Sequence, residues 1–297
     1  MKATLFVLVG ALSLGLAVGV GAQEDPALDS ELFDIENMPT PTTLAELLPE
    51  GGIDQVLFDD WMVTRYTGPN GGGLIAPERL EHRRAFPEDG RLVFETLTVS
   101  DPVNGNGYRM TRRWVYSADL QLETYEQIMS SAARGDTRQV GTVEGDHFVI
   151  RQIEYAQNTE DKEDRAPRSI PLADLEGKIL HHWRPLVYAY HLRNGSLGYD
   201  VELAHFLSVG SAYTIRIEDV GTQAVEVDGH PQEAHVLVAS RTIGTGRHQR
   251  EHVTQMLMLS TGEYVSSFQT GERYRLSSER ITREEAIEMF ALDEDQQ

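Results

Sequence analysis

The sequence predicts a mainly β protein: a curved antiparallel sheet, half-barrel-like, with a central amphipathic helix and a short C-terminal helix. Apolar and polar residues alternate in several stretches on both sides of a middle segment, which is the period of a β-strand. Turn-forming pairs such as Asp228-Gly229 and Thr261-Gly262 separate these stretches at hairpin spacing. This spacing leaves no room for crossover helices, so a parallel α/β sheet is excluded. Two separate small sandwiches are the alternative arrangement.

The first 22 residues have the pattern of a secretory signal peptide. Met1-Lys2 supplies a basic start, an apolar run extends from Ala3 to about Val20, and Ala22 precedes a switch to polar residues. We expect cleavage after Ala22. An uncleaved membrane anchor is the alternative, because a run of about 18 residues is close to the lower limit of a spanning helix. The signal predicts export to a bacterial periplasm or to the extracellular space, with no integral membrane span after cleavage.

Residues 23–70 are predicted to form an acidic, largely extended leader. Eleven acidic residues and no basic one lie between residues 23 and 60, and prolines interrupt the segment. One short helix is expected at Leu44–Leu48, with Thr43 and Glu46 as a capping box. We interpret the leader as a solvated linker, and a partner-docking or calcium-binding arm is the alternative.

Residues 71–297 are expected to form a single β-rich domain, in which two β segments flank the central helix. In the first segment Tyr108, Met110, Trp114 and Tyr116 share one face of an alternating stretch. The other predicted strands are Leu92–Val99, Leu120–Ile128 and His147–Tyr155 before the helix, and Tyr213–Ile217, Ala224–Val227, Ala234–Ala239, Val253–Leu259, Tyr264–Phe268 and Arg273–Leu276 after it.

The central helix is predicted at about residues 171–192, where apolar residues recur at three- and four-residue spacing. Gly177 weakens this helix. Pro185 is expected to kink or split it, because the proline ring opposes the carbonyl of the residue four positions earlier. Near the end of the chain Thr282 and Glu285 form a second capping box, which opens the predicted C-terminal helix.

Charge and cysteine content exclude several classes of function. The chain has 47 acidic and 26 basic residues, a formal net charge of −21. Binding to nucleic acid or to an anionic membrane surface needs a basic stripe, so neither is expected. The chain has no cysteine, which excludes disulfides, cysteine zinc sites and a thiol nucleophile.

One short motif has the pattern of a metal site. Residues 248–252, His-Gln-Arg-Glu-His, match the H-x-x-E-H signature of inverted zinc peptidases. Glycines precede the motif and a β-like run begins at Val253, and in a strand the two histidines would lie about 13 Å apart. We therefore interpret the motif as an exposed polar loop and predict no metal site, no cofactor and no catalytic residue. The chain also has no G-x-S-x-G elbow, P-loop or dinucleotide fingerprint.

The predicted layout resembles a known group of exported proteins. The features that resemble this group are the strand and turn at Trp114–Leu120, the final hairpin around Ser260–Tyr264, and the signal peptide. Over about residues 90–280 this arrangement is similar to the LolA/LolB-like half-barrel proteins and to neighbouring uncharacterised periplasmic families. The resemblance implies an eleven-strand half-barrel wrapped over helices, with a lipid or another apolar ligand in its concavity.

The aromatic residues Trp114, Tyr116, Trp183 and Tyr188 are the candidate lining of such a ligand pocket, with ordinary core packing as the alternative. We expect an exported, non-catalytic protein that binds an apolar or lipid-like ligand of the cell envelope. That hypothesis predicts a groove free of clustered ionisable groups. A structural or partner-docking envelope protein and a secreted metal-dependent hydrolase are the alternative functions.

Overall fold

The structure is a computed structural model that describes residues 40–68, 73–100, 107–131, 135–155, 162–164, 166–195, 197–206, 208–243, 250–270 and 274–292. The chain divides into two units, Met1–Asn37 and Met38–Gln297, and all the described residues belong to the second. The predicted signal peptide and residues 23–39 of the predicted leader lie outside the described ranges.

The described residues form one antiparallel sheet of fifteen strands, with four short α-helices. The strands are β1 (Phe58–Thr67), β2 (Arg79–Glu88), β3 (Arg91–Ser100), β4 (Tyr108–Tyr116), β5 (Leu122–Ser131), β6 (Gly135–Glu144), β7 (His147–Tyr155), β8 (Lys162–Asp164), β9 (Arg168–Pro171), β10 (Leu197–His205), β11 (Ser208–Val227), β12 (His230–Ile243), β13 (Arg250–Leu259), β14 (Tyr264–Thr270) and β15 (Arg275–Arg280). The helices are α1 (Leu44–Leu47), α2 (Leu172–Leu175), α3 (Arg184–Asn194) and α4 (Arg283–Phe290).

The sheet consists of two meanders that share one seam. Strands β1 to β7 pair with their neighbours in chain order, and so do strands β10 to β15. The last strand, β15, then pairs with the first, β1, with Thr64 opposite Ser278. The sheet is not closed, because β10 and β8 lie at opposite ends of the strand order. This topology confirms the predicted mainly β, curved antiparallel sheet, and the β1–β15 pairing rules out two separate sandwiches.

Strand β1 lies inside the segment that the sequence predicted as a leader, so the β-rich domain begins before the predicted boundary at residue 71. Met62 is buried in the core on one face of β1, and Val63 is fully buried on the other face, where α4 packs against the strand. Because both faces are covered, the strand shows little alternation. The acidic residues of β1 made this segment look like part of the acidic leader. One of them, Asp60, is in fact buried and pairs with Arg83 of β2.

The main core fills the concave face of the sheet. Aromatic and aliphatic side chains from both meanders pack there around α3 and α1 in one cluster. Its fully buried large members are Leu47, Leu92, Phe94, Tyr116, Tyr125, Phe148, Trp183, Leu203, Ile217, Leu237 and Met258. A curved sheet wrapped over a helix therefore positions the residues described below.

The central helix is split, and the split lies N-terminal to Pro185. Helix α2 ends at Leu175, and Gly177 adopts a left-handed conformation with φ of 69°. A single 3-10 turn at His181–Trp183 then leads directly into α3. Pro185 lies in the first turn of α3, where its missing N–H removes no helical hydrogen bond. The predicted helix at about 171–192 is therefore wrong in its N-terminal half, and the expected break at Pro185 lies several residues earlier in the chain.

One of the two predicted capping boxes forms. At the start of α4 the Glu285 backbone N–H donates to Thr282 Oγ1 at 3.2 Å, and the Thr282 N–H donates to Glu285 Oε2 at 2.8 Å. Thr43 makes no such bond at α1. There the Thr42 N–H donates to Glu46 Oε2 at 2.7 Å, so Glu46 bonds to the residue before the N-cap and the predicted box does not form. None of the helices in the described ranges is long and apolar enough to cross a membrane.

Candidate functional site

A cavity of about 750 Å³ lies between the concave face of the sheet and the start of α3. One part of its wall is apolar and largely aromatic. This part is lined by Phe58, Met62, Phe94, Met110, Trp114, Tyr125, Tyr188, Phe206, Met256, Tyr264 and Leu276. Pro185 and Arg184 mark the point where the N-terminal end of α3 reaches the cavity.

Beneath the cavity the 3-10 turn packs into an aromatic floor. The indole N–H of Trp183 donates to the hydroxyl of Tyr116 at 3.1 Å, and the same hydroxyl lies 2.7 Å from His182 Nε2. The Trp183 ring is 4.6 Å from that of Phe94, and His182 stacks on Trp114 at 4.2 Å. Burial raises the pKa of Tyr116 and lowers that of His182 well below its usual value, so both groups are neutral at physiological pH.

The four predicted pocket residues divide into two pairs. Trp114 and Tyr188 line the cavity. Tyr116 and Trp183 are not among the lining residues, and they are almost fully buried in the floor. Their positions fit the alternative of ordinary core packing, whereas Trp114 and Tyr188 stay candidate ligand contacts.

The remaining wall of the cavity is basic. Six arginines and two glutamates line it, although the chain as a whole carries a net charge of −21. Three of these arginines have carboxylate partners: Arg79 lies 3.9 Å from Glu81, Arg83 lies 3.6 Å from Asp60, and Arg84 lies 2.5 Å from Glu95. The other three are Arg112, Arg184 and Arg241.

These three arginines have no carboxylate within ion-pair distance in the described part of the chain. Arg112 Nε donates to the Gln127 side-chain oxygen at 2.8 Å. The guanidinium of Arg184 lies 5.9 Å from the ring of Tyr188, and that of Arg241 lies 5.1 Å from the ring of Tyr213. Neutral side chains therefore orient these guanidinium groups, and their positive charges are left without a negative counterpart.

The three charges converge on His181. Burial, followed by the positive charge of Arg184, lowers the pKa of His181 to about 3, with further contributions from His205, Arg241 and Arg112. Its Nδ1 lies 2.6 Å from the hydroxyl of Tyr213. The imidazole is therefore neutral at physiological pH, and it lines the same cavity as the arginines from β4, α3 and β12.

Several buried donors at the cavity wall have no hydrogen-bond partner among the described residues. They are Arg79 Nε, Arg83 Nε and the indole nitrogen of Trp114. A buried donor without a partner costs roughly 1–3 kcal/mol. An acceptor in the cavity would recover part of that free energy.

The expectation of a groove free of clustered ionisable groups is therefore wrong. A signal for the cluster was present in the sequence. Arg112 lies at an inward position of β4 between Met110 and Trp114, and Arg241 shares the inward face of β12 with Leu237 and Ala239. A charged residue at an inward position of an alternating strand is costly in a closed core, so it indicates a ligand or a cavity.

The metal motif falls partly outside the described residues, which exclude His248 and Gln249. Arg250, Glu251 and His252 begin strand β13. His252 Nδ1 lies 2.9 Å from the side-chain nitrogen of Gln269. Over the described ranges, no three histidine, aspartate or glutamate side chains come close enough together to hold a metal ion.

Comparison with known proteins gives likeness at the level of architecture. No protein-family model and no curated protein matches the sequence. Among solved structures, the chain is similar to a β-barrel-like protein of the DUF1849 family of unknown function from Brucella abortus. The TM-score is 0.46 at 8% identity, over 75% of this chain and 94% of that one. It also matches a DUF1089 family protein from Pseudomonas aeruginosa with a TM-score of 0.29 at 14% identity, over 62% of this chain and 87% of that one.

Proposed function

We propose that the protein is an exported, non-catalytic binding protein that holds a lipid-like ligand of the cell envelope in its concave cavity. The observation that carries this proposal is the cavity itself, which is about 750 Å³ and has a largely aromatic wall. Ligand sites usually have volumes of about 300–1,000 Å³ and are mostly apolar with a few polar groups. The cavity has this size, and its lining joins an apolar, largely aromatic part to a polar part that holds six arginines.

The apolar wall suits a hydrocarbon chain. Trp114, Tyr125 and Phe206 present aromatic rings from β4, β5 and the loop after β10, and Met110 and Met256 add flexible thioethers. Methionine adapts to irregular apolar shapes because its side chain is unbranched. A ligand chain placed here would exchange water for these surfaces, and about 25 cal/mol of free energy is gained for each Å² of apolar area removed from water.

The polar groups of the site are suited to binding rather than to proton transfer. Arginine side chains stay protonated in proteins and do not act as bases. His181 and His182 are each in hydrogen-bonding contact with a phenol, Tyr213 and Tyr116 respectively. Burial keeps the pKa values of both imidazoles low, so neither is an effective base near neutral pH. This arrangement supports a binding role.

Native mass spectrometry tests the proposal. The full chain is expressed in a bacterium with its own N-terminus, purified from the periplasm and measured without denaturation. We expect a polypeptide shortened by the predicted signal peptide, with an added mass of several hundred daltons that is lost on collision. Ser267 lines the cavity, so the larger side chain of Ser267→Trp should fill part of it and is expected to abolish the added mass.

A matched control is available one residue away. Ser266 neighbours Ser267 on β14 and points to the opposite face of the sheet, so Ser266→Trp is expected to keep the bound mass. A bare wild-type monomer would contradict the proposal and favour the structural or partner-docking role. A single added mass equal to that of zinc would contradict it in favour of the metal-dependent hydrolase.

A further inference from the structure

We propose that the ligand carries a phosphate headgroup, and that Arg112, Arg184 and Arg241 bind it. This inference rests on the proposed function, because it assigns the polar end of the same lipid-like ligand. Nothing in the sequence motifs pointed to it. The observations that carry it are the charge distribution, the position of α3 and the unpaired donors.

The charge distribution is the first argument. The chain is strongly acidic, yet its cavity holds three guanidinium groups without a carboxylate partner in the described residues. All three line the same cavity, which also holds His181. Glu81 is a carboxylate whose charge reaches Arg184, and it already faces Arg79 at 3.9 Å. Like charges held together away from bulk water repel each other unless an anion neutralises them.

The position of α3 is the second argument. The helix has eleven residues and begins at Arg184, which lines the cavity together with Pro185. The N-terminal end of a helix carries a partial positive charge and favours an anion. The partial charge of the helix end and the guanidinium charge of Arg184 are therefore both positive, and both favour an anion in the cavity. Arg112 and Arg241 line the same cavity from the two meanders of the sheet.

The unpaired donors are the third argument. Trp114 Nε1 and the Nε atoms of Arg79 and Arg83 are buried donors without a partner among the described residues. A phosphate monoester has three terminal acceptor oxygens and carries a charge of about −1.5 to −2 near neutral pH. A carboxylate carries one charge and two oxygens. Three excess positive charges with further donors nearby fit the phosphate better, and arginine matches its geometry with two parallel hydrogen bonds.

The test compares amphiphiles that share one chain and differ in the headgroup. Octyl phosphate, octanoate and octanol are titrated into the delipidated protein by isothermal calorimetry, and inorganic phosphate is titrated separately. We expect octyl phosphate to bind about 10- to 100-fold more tightly than octanol, since hydrogen bonds to charged groups contribute about 1.5–3 kcal/mol. Octanoate is expected to fall between them, and inorganic phosphate to bind more weakly than octyl phosphate.

Arginine variants locate the headgroup. The double variant Arg184→Gln/Arg241→Gln is expected to lose most of the preference for octyl phosphate over octanol. Arg241→Lys, which keeps the charge and loses the two parallel hydrogen bonds, is expected to lie between this variant and the wild type. The control is Arg138→Gln on the outer face, where Arg138 pairs with Glu126 at 2.7 Å. It is expected to bind all four probes like the wild type, and far-UV circular dichroism verifies that each variant is folded.

The possible failures are distinguishable. If octanol binds as tightly as octyl phosphate and the double variant changes nothing, the headgroup inference is overturned and the lipid-binding function stands. Equal affinity for octanoate and octyl phosphate also overturns the phosphate assignment. If inorganic phosphate binds as tightly as octyl phosphate, the arginine site is supported with free phosphate as its ligand, and the lipid-binding function fails. If none of the four probes binds, both proposals fail.

Discussion

The two faces of the sheet use arginine in different ways. On the outer face, arginines lie opposite carboxylates of neighbouring strands: Arg65 pairs with Glu279 and Arg138 with Glu126. On the inner face Arg79 and Arg83 also have carboxylate partners, but Arg112 and Arg241 project among apolar and aromatic side chains, and the described residues supply no carboxylate partner for either. Exposed pairs stabilise a sheet modestly. Unpaired charges at a cavity do not stabilise the empty protein, so the difference supports the proposed binding role of the inner face.

The inner face also holds the packing on which stability depends, and the largest expected effect comes from there. Replacing Trp183 with alanine should destabilise the protein by about 3–5 kcal/mol. The indole is fully buried, lies 4.6 Å from the Phe94 ring and donates to the Tyr116 hydroxyl. Urea unfolding followed by circular dichroism measures the loss.

Phe268 provides the matched aromatic on the outer face. Its side chain is 42% exposed on β14, so Phe268→Ala is expected to change the free energy of unfolding by about 0.5 kcal/mol or less. Similar losses for the two alanine variants would break the comparison, because the inner face would then not be the principal core.

A glycine on the inner face tests how tightly the core is packed away from the cavity. A Cβ atom at Gly141 of β6 would collide with the ring of Phe148 and lie 3.3 Å from Cβ of Tyr125. We expect Gly141→Ala to cost about 1–3 kcal/mol through overpacking. Gly73→Ala is the control, since a Cβ there meets no atom within 4 Å. Unchanged unfolding midpoints for both variants would show that the face can relax and is not tightly packed.

The buried histidines make the inner face sensitive to acid. Folding lowers the pKa of His181 from 6.5 to about 3. Between these values the unfolded chain binds a proton that the folded protein does not, so stability is complete above pH 6.5 and falls as the pH decreases below it. We expect His181 to account for a loss of about 2 kcal/mol between pH 7.5 and pH 5.

The measurement is the free energy of unfolding at several pH values in the wild type and in His181→Gln. The variant is expected to lose part of the slope between pH 6.5 and pH 5. His230→Gln, at an exposed position beside the Asp228-Gly229 turn, is expected to keep the wild-type slope. Parallel curves for all three proteins would mean that His181 is not held neutral by the fold.

Strand β10 was missed, although Tyr199, Val201 and Leu203 are buried there and alternate with the exposed Asp200 and Glu202. The alternation did predict other strands in which one face is buried and the other exposed. Tyr108–Tyr116 is an example: its inward residues Trp114 and Tyr116 are buried, and β4 forms as expected. β1 was missed because both of its faces are covered, so Met62 and Val63 follow each other without alternation. A covered strand at the seam of two meanders depends on β15, more than two hundred residues later. The local pattern of apolar and polar residues cannot predict a pairing between strands so far apart in the chain.

The site was predictable only in part, for a related reason. Trp114 and Tyr188 were named as candidate lining residues, and they do line the cavity. Arg112 was passed over, although it interrupts the apolar face of β4. Its meaning depends on Arg184 and Arg241, which are about 70 and 130 positions further along the chain, and the three come together only when α3 lies inside the curved sheet. Inward charge on an alternating strand is the local signal to look for.

The smallest expected effect compares the two kinds of arginine directly in the ligand-free protein. Arg138 and Glu126 are partly exposed, at 48% and 36%, so Arg138→Gln should cost about 0.2–1 kcal/mol, and added salt should reduce that loss. Arg241→Gln should cost nothing or stabilise slightly, because it removes a positive charge that lines the same cavity as Arg184 and has no carboxylate partner in the described ranges. Thermal unfolding at low and high salt measures both. A larger loss for Arg241→Gln than for Arg138→Gln would mean that Arg241 supports the fold itself, and the contrast between a structural outer face and a binding inner face would no longer hold.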